Sequence, residues 1–410
     1  MRIIAGSIGL GVAVLLGACG EPGTLQAPED LLFIQTAGDV AVVEPGASTP
    51  AFRGGAVPSS DWSTVVRSEP DGTSTEIVAL DPSTGQERWD TTLPGNLRAK
   101  VVSNGGDLVA LGPVRERHHR LGRSSTTLVI VGSDVAEPRT ITLDGNYEPE
   151  AFSTDGQSLF VIKYSPARAP TSYQVRRLDL ETQRVEGVYT PDAHLQRSMG
   201  GTARIQAASP DGRRLYTLYT LGGEDGRRYA FIHVLSLDQL WAHCIDLPGE
   251  FATSPESATA LTVSPDGTRL YVANHAEAAV AQIDTSKLEI VRTQSINFGL
   301  GGGRANAALD SGSKLYLASG RRVALVDTTT LTEQRSWLMK DKIRGLQVAA
   351  DGRRLYVAFK DRVAILRAAT GEGIETIDPP GIRRIDRFGP TMPKLDDTDP
   401  SSDKNITCAC

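Results

Sequence analysis

Apolar and polar residues alternate along this chain in short bursts, and a polar turn introduces each burst. The runs "STDGQSLFVIKY" from Ser153, "SPDGRRLYTLY" from Ser209, "SPDGTRLYVANH" from Ser264, "LDSGSKLYLASG" from Leu309 and "AADGRRLYVAFK" from Ala349 share one order of residues. A period of two marks a strand with one face buried, and the glycine at a fixed place supplies the positive φ that a tight connection needs. A second alternating run follows each: "YQVRRLD" from Tyr173, "YAFIHVLS" from Tyr229, "AVAQID" from Ala279, "RVALVD" from Arg322 and "RVAILR" from Arg362. Each unit therefore predicts a hairpin. Looser copies are "LLFIQT" with "DVAVVE" from Leu31, "STVVRS" with "TEIVALD" from Ser63, and "DLVALG" with "TTLVIVG" from Asp107.

Eight hairpins between Leu31 and Gly389 repeat about every 45 residues, the period of four-stranded propeller blades. A β-sandwich would not repeat so regularly, and a β-helix would repeat at shorter intervals. The expected fold is all-β: a single closed β-propeller of residues 31–389 with four-stranded antiparallel blades, eight by this count and seven as the alternative. The first hairpin has no inner strand before it, whereas the chain ends with a spare one. The segment Ile382 to Phe388, "IRRIDRF", is similar to the inner strand "IRGLQV" from Ile343. Pairing it with the first hairpin would close the ring and remove the open edges.

The segment "LTVSPDGTRLYVANHAEAAVAQIDTSKLEIVRT" from Leu261 resembles a repeat of the YVTN-type, YncE-like β-propellers, and weaker copies extend the resemblance over most of the body. That likeness implies an architecture and leaves the chemistry open. One blade differs: "ALDPSTGQERW" from Ala79 resembles the tryptophan-docking motif of pyrroloquinoline-quinone-type propellers. With a single clear copy, Trp89 reads as a packing residue between blades and does not imply quinone; no cofactor is expected.

At the amino terminus, Arg2 precedes the apolar run Ile3 to Ala18, too short and Gly-rich for a comfortable membrane span, so residues 1–18 read as a signal peptide. Leu16-Gly17-Ala18-Cys19 resembles the bacterial lipobox, which implies acylation of Cys19, a tether over 19–30 and a place in the cell envelope on the extracytoplasmic side. Gly20 leaves the choice of membrane open. The formal charge of −6, one unit more negative without Arg2, argues against general nucleic-acid binding. Beyond Cys19 there are only Cys244, Cys408 and Cys410, too few for a disulfide scaffold. Residues 390–410, polar and without period, read as a disordered tail whose Cys408-Ala409-Cys410 makes an incomplete metal site.

Function in a propeller usually sits at the mouths of its channel. Counting back eight places from the turn glycine gives Arg98, Arg204, Arg304 and Arg344, and the "IR" register adds Arg383. Such arginines at the start of inner strands could form a partial ring that attracts carboxylate or phosphate, with Glu148, at the same place in another blade, as a counter-charge; each could equally bridge to the next blade. The longest loops flank these positions. Among them "GPVRERHHRLGRSS" from Gly112 is the most basic, and Arg115, Arg117, His118, His119, Arg120 and Arg123 suit an acidic partner or lipid headgroups. His118, His119, His194 and His275 lack metal-motif spacing, and no catalytic motif is present, so neither a metal nor a catalytic residue is assigned. Three functions remain open. The first is a lipid-anchored, non-catalytic binding or scaffold module for an anionic ligand or protein partner. The second is a lactonase-like metal-dependent hydrolase. The third is an envelope assembly factor resembling the eight-bladed lipoprotein of outer-membrane protein assembly, which rests on lipid and blade count alone.

Overall fold

The polar turns fold as their residues dictate. In the turn at Ser209, the serine Oγ donates to Asp211 Oδ1 (2.5 Å) and accepts the Arg214 amide (2.9 Å), while Gly212 turns the chain at φ +67°. Ser153 and Ser264 build the same turn around Gly156 and Gly267. At the corresponding place before the second hairpin the chain carries Trp62, with φ +58°. A tryptophan there is strained. Its ring is buried and tilted against Phe33, 4.9 Å between centroids, which offsets the strain by burial.

These turns build eight blades of four antiparallel strands each, with no helix longer than a single 3-10 turn among the described residues. The computed structural model describes residues 30–389 except 37–39, 48, 191–201, 223–227, 253–255 and 301. The proposed signal peptide, Cys19, His194, the tail with Cys408 and Cys410, and the centres of the long crossing from Thr190 and of the hairpin insertion from Leu221 lie outside the described residues. Inner strands of blades 2 to 8 are Ala56–Pro58, Leu97–Val102, Asn146–Phe152, Thr202–Ala208, Thr259–Val263, Asn306–Leu309 and Gly345–Val348. Blade 1 takes its second to outer strands from Leu32–Gln35, Val40–Val43 and Phe52–Gly54, and its inner strand from the other end of the chain.

That closing strand is shorter than its sequence suggests. Only Arg387–Phe388 pairs with the first hairpin, Ile34 facing Phe388 and Gln35 facing Arg387. Ile382 and Ile385 are both buried in the same apolar cluster as Phe388, although residues three apart point to opposite sides of an extended strand. Residues 382–386 are therefore an irregular crossing, pinned where the Ile385 amide donates to the Lys360 carbonyl (2.6 Å). The register that matched Arg383 to Arg344 fails for this reason, and Arg383 is exposed on the crossing, outside the inner strand.

Antiparallel order gives the disc two distinct faces. Inner strands start, second-to-third hairpins turn, and inter-blade crossings pass on one face, called here the crossing face. The serine-aspartate turns and the third-to-outer turns lie on the opposite turn face. Asp30, just before the first strand, accepts the Ala350 amide (3.1 Å) and the Tyr356 hydroxyl (2.7 Å) and pairs with Arg354 (3.6 Å). Ala350 belongs to the polar turn of blade 8, so the chain comes onto the disc at the turn face.

Tryptophans on two outer strands dock onto the next blade. Trp89, on the outer strand of blade 2, donates its indole N–H to the Gly106 carbonyl of blade 3 (3.1 Å), as expected of a packing residue. Trp337, two places further along the outer strand of blade 7, donates instead to the Thr370 carbonyl in the third-to-outer turn of blade 8, and at Gly371 (φ +73°) any Cβ would collide with the indole.

Candidate functional site on the crossing face of blades 3 to 5

Hairpin length differs greatly among the blades. In blade 7 a single residue, Arg321, joins the second and third strands, whereas blade 3 inserts residues 114–124 between Leu108–Pro113 and Ser125–Gly132. So long a loop must find partners for its backbone and charges. Arg123 and His119 turn inward to do this. Both are buried, with Arg123 bound to Glu116 Oε2 (2.9 Å), Glu148 Oε2 (2.9 Å) and Thr126 Oγ1 (3.1 Å). Lys100 completes the group, 3.3 Å from Glu148 and 3.8 Å from Glu116, and His119 Nδ1 lies 3.6 Å from Glu148.

The two carboxyls of this cluster are driven apart. Burial acts to raise the Glu148 carboxyl, but the hydrogen bond from His119 and the charges of Lys100, His119 and Arg123 outweigh it and hold the group well below the usual carboxylate range. For Glu116 the balance reverses: burial wins over the attraction of Arg123 and Lys100, and its carboxyl is raised.

The hairpins of blades 3 and 4 are locked together. Arg123 donates its amide to the Ala167 carbonyl (2.9 Å), and Asn146 donates its side-chain amide to the carbonyls of His119 (2.6 Å) and Ala167 (3.3 Å). Gly122 lies so close that a Cβ there would sit 2.2 Å from the Arg168 carbonyl oxygen. An aromatic series continues across the blades: His118 to His119 at 4.2 Å, His119 stacked on Tyr164 at 4.4 Å, then Tyr173 and Tyr219 at 5.9 and 5.8 Å, and Phe231 stacked on Tyr219 at 5.2 Å. Cys244 packs against the same cluster.

A cavity of about 120 Å³ runs along the inner strands of blades 2 to 5 as far as the turns at Ser60 and Asn104, with Lys100, Glu148, Glu150 and Gln206 among its polar groups. Beta-bulges at Lys100 and Glu150 add one residue to each of these strands and re-aim the side chains that follow. Gln206 donates to Glu150 Oε1 (2.6 Å). Lys100, Glu150 and Gln206 all stand six places before the turn glycine of their blades. Counting back six instead of eight would have found them.

The arginines at the eight-place position are distributed differently. Arg98 is exposed on the inner strand of blade 3 and exerts a favourable field on Glu116. Arg304 and Arg344 are half-buried just ahead of the inner strands of blades 7 and 8. Arg204 lies on the inner strand of blade 5, and its side chain lies outside the described residues. Of the basic loop, Arg115 and Arg117 are exposed, His118 and Arg120 are half-buried, Leu121 stands out at 60% exposure, and Val114 is exposed as well. Among the described residues no group of three His, Cys, Asp or Glu side chains is placed to hold a metal ion.

No family model matches the chain, and no curated protein matches it by sequence. Solved structures do match. Dihydro-heme d1 dehydrogenase NirN in complex with DHE is 14% identical, with a TM-score of 0.54 over 89% of this chain and 77% of that one. AztD from Citrobacter koseri is 13% identical, with a TM-score of 0.53 over 87% of this chain and 96% of that one. BamB from Moraxella catarrhalis is 15% identical over 80% of this chain and 88% of that one, with a TM-score of 0.45. At such identities the likeness is one of fold, and the first two carry it.

Proposed function

We propose that this chain is a lipid-anchored, non-catalytic binding module of the cell envelope, which presents the crossing face of blades 3 to 5 to a protein partner with an acidic surface. The observation that carries this reading is the placement of the two ends of the problem on opposite faces. Asp30 is fastened to the turn of blade 8, whereas the interlocked hairpins of blades 3 and 4, with the aromatic series that continues into blade 5, lie on the other face. If Cys19 carries the lipid, the eleven residues to Asp30 span at most about 40 Å. The turn face would then look toward the membrane and the interlocked hairpins away from it.

The chemistry of that crest fits a protein surface. Arg115 and Arg117 stand free of the buried cluster, with Val114 and Leu121 exposed on the same loop and Tyr229 exposed on the hairpin of blade 5. Exposed arginine beside exposed aliphatic and aromatic side chains is the composition of interface anchors, and a loop held rigid by Arg123, Glu116 and Glu148 loses little further freedom on binding. The arginine positions ahead of the inner strands add positive charge toward the channel mouth, where an anionic small ligand is the alternative occupant.

The reading is tested with the full-length chain expressed in a bacterial envelope. Cys19→Ser should move the protein from the membrane to the soluble fraction and abolish labelling by an alkynyl fatty acid. Arg115→Glu with Arg117→Glu should reduce partner capture after cross-linking at least tenfold and leave the melting temperature unchanged. Full membrane retention of the serine variant, or undiminished capture by the charge-reversed one, would each overturn the corresponding half.

A further inference from the structure

A cleft of about 750 Å³ opens on the turn face between blades 5 and 6, away from the hairpin wall. Its volume is within the range of small-ligand sites. At its floor lies Tyr216, 1% exposed, whose hydroxyl is beside Arg214 and Thr285 but makes no hydrogen bond of ordinary geometry. The equivalent tyrosines of other blades are all satisfied: Tyr271 accepts from Gln282 (3.0 Å), Tyr316 donates to the Ala368 carbonyl (3.2 Å) and Tyr356 donates to Asp30. Ala368 follows the third strand of blade 8, and Thr285 holds that place in blade 6. Here, however, Arg214 has taken the Thr285 carbonyl, its guanidinium lying over the Trp241 ring at 5.6 Å. Tyr216 is left with a buried hydroxyl turned to the cleft, and such a group is seldom left unpaired.

The lining defines what could pair with it. Arg213, Arg214 and Arg269 are opposed by Asp211, Asp238 and Asp266, so the cleft has no net charge to favour an anion or a cation. Each aspartate already accepts a hydroxyl of its own turn, from Ser209, Ser236 and Ser264, at 2.5 to 2.7 Å. Each has further acceptor capacity. Arg213 is exposed at the rim and offers donors, while Pro210 and Pro265 supply apolar surface between the polar groups. Alternating charged donors and acceptors around small apolar patches complement vicinal hydroxyls on a C–H framework. We propose that this cleft is a binding site for a neutral saccharide, with the Tyr216 hydroxyl and the Arg213 guanidinium as its donors and Asp211 and Asp266 as its acceptors.

The test uses the full-length chain with maltotriose, cellotriose and chitotriose as probes, and inorganic phosphate and triglycine as comparisons, read by saturation-transfer and chemical-shift NMR. The expected result is transfer to at least one trisaccharide. That affinity should fall about fivefold to tenfold in Tyr216→Phe, the loss of one hydrogen bond, and by a similar factor in Arg213→Ala. Tyr216→Phe should melt no lower than the parent, because the hydroxyl it removes makes no hydrogen bond of ordinary geometry in the free protein. No transfer to any of the three, transfer unchanged in Tyr216→Phe, or a lowered melting temperature in that variant would overturn the proposal. Shifts at the cleft with phosphate or triglycine alone would reassign it to an anion or a peptide.

Discussion

A chain carrying alanine at both Ile385 and Phe388 is expected to lose most of its stability and its single thermal transition. Both side chains are buried in the cluster that joins blade 8 to blade 1, together with Leu32, Ile34 and Tyr356. Truncating a buried isoleucine costs about 2–5 kcal/mol and a buried phenylalanine about 3–5 kcal/mol. Together these approach the whole stability of an ordinary domain, about 5–15 kcal/mol. The effect is amplified by geometry, because the closing strand is two residues long and has no register to fall back on. Phe388 also lies against Gly345, where a Cβ would come within 2.4 Å of the Phe388 Cβ, so the blade 8 side of the joint leaves no room for a larger residue. Differential scanning calorimetry with size-exclusion chromatography checks this. A double variant that melts with the parent would mean that the ring is held by something other than this strand.

The second large effect is expected at Glu148. Replacing it with alanine leaves Lys100, His119 and Arg123 buried around a missing carboxylate, and breaking a buried pair from one side costs about 3–5 kcal/mol. The loss should be local first: loop 114–124 should become a tryptic target at Arg115 and Arg117 while the remaining blades resist. Acid should reproduce it in part. Folding depresses the Glu148 carboxyl below its ordinary value of 4.5, so its contribution is complete above that pH and is lost as pH falls. Glu116, raised by burial, has the opposite sign, contributing below 4.5 and losing that contribution as pH rises. The shift at Glu148 is the large one, so the net expectation is a loop that loosens progressively below pH 4.5. Amide hydrogen exchange of the loop, corrected for the intrinsic pH dependence of exchange, follows it, and equal protection of the loop at pH 3 and pH 7 would contradict it.

How much of this was legible in the sequence depends on how local the cause is. The hairpins could be read because most are set by their own turn, with Asp and Gly and in several a Ser at fixed places, and the blade count followed from their number. The closing strand was misjudged in length, since a shared "IR" pair carried no information about which side of the chain Ile382 and Ile385 bury. The tryptophan at position 89 could be read as a docking residue from its motif, whereas Trp337, in the same role, has no such motif around it. Lys100 and Glu150 escaped because a β-bulge changes which residues face the channel, and no bulge is written in a period of two. Counting charges made loop 112–125 a basic surface. Burial divides it instead: Arg123 and His119 hold the loop to Glu148, and Arg115 and Arg117 remain outside.

The central claim is that the partner meets the crossing face of blades 3 to 5 while the opposite face turns toward the anchor. A photo-cross-linking amino acid placed singly at Arg115, Tyr229, Asp155 or Arg353 in the membrane-bound protein tests it most directly. The first two positions lie on the crossing face and the last two on polar turns of blades 4 and 8. Cross-links to one protein from positions 115 and 229, with none from 155 and 353, are the predicted result. A partner captured only from the turn positions would contradict the account.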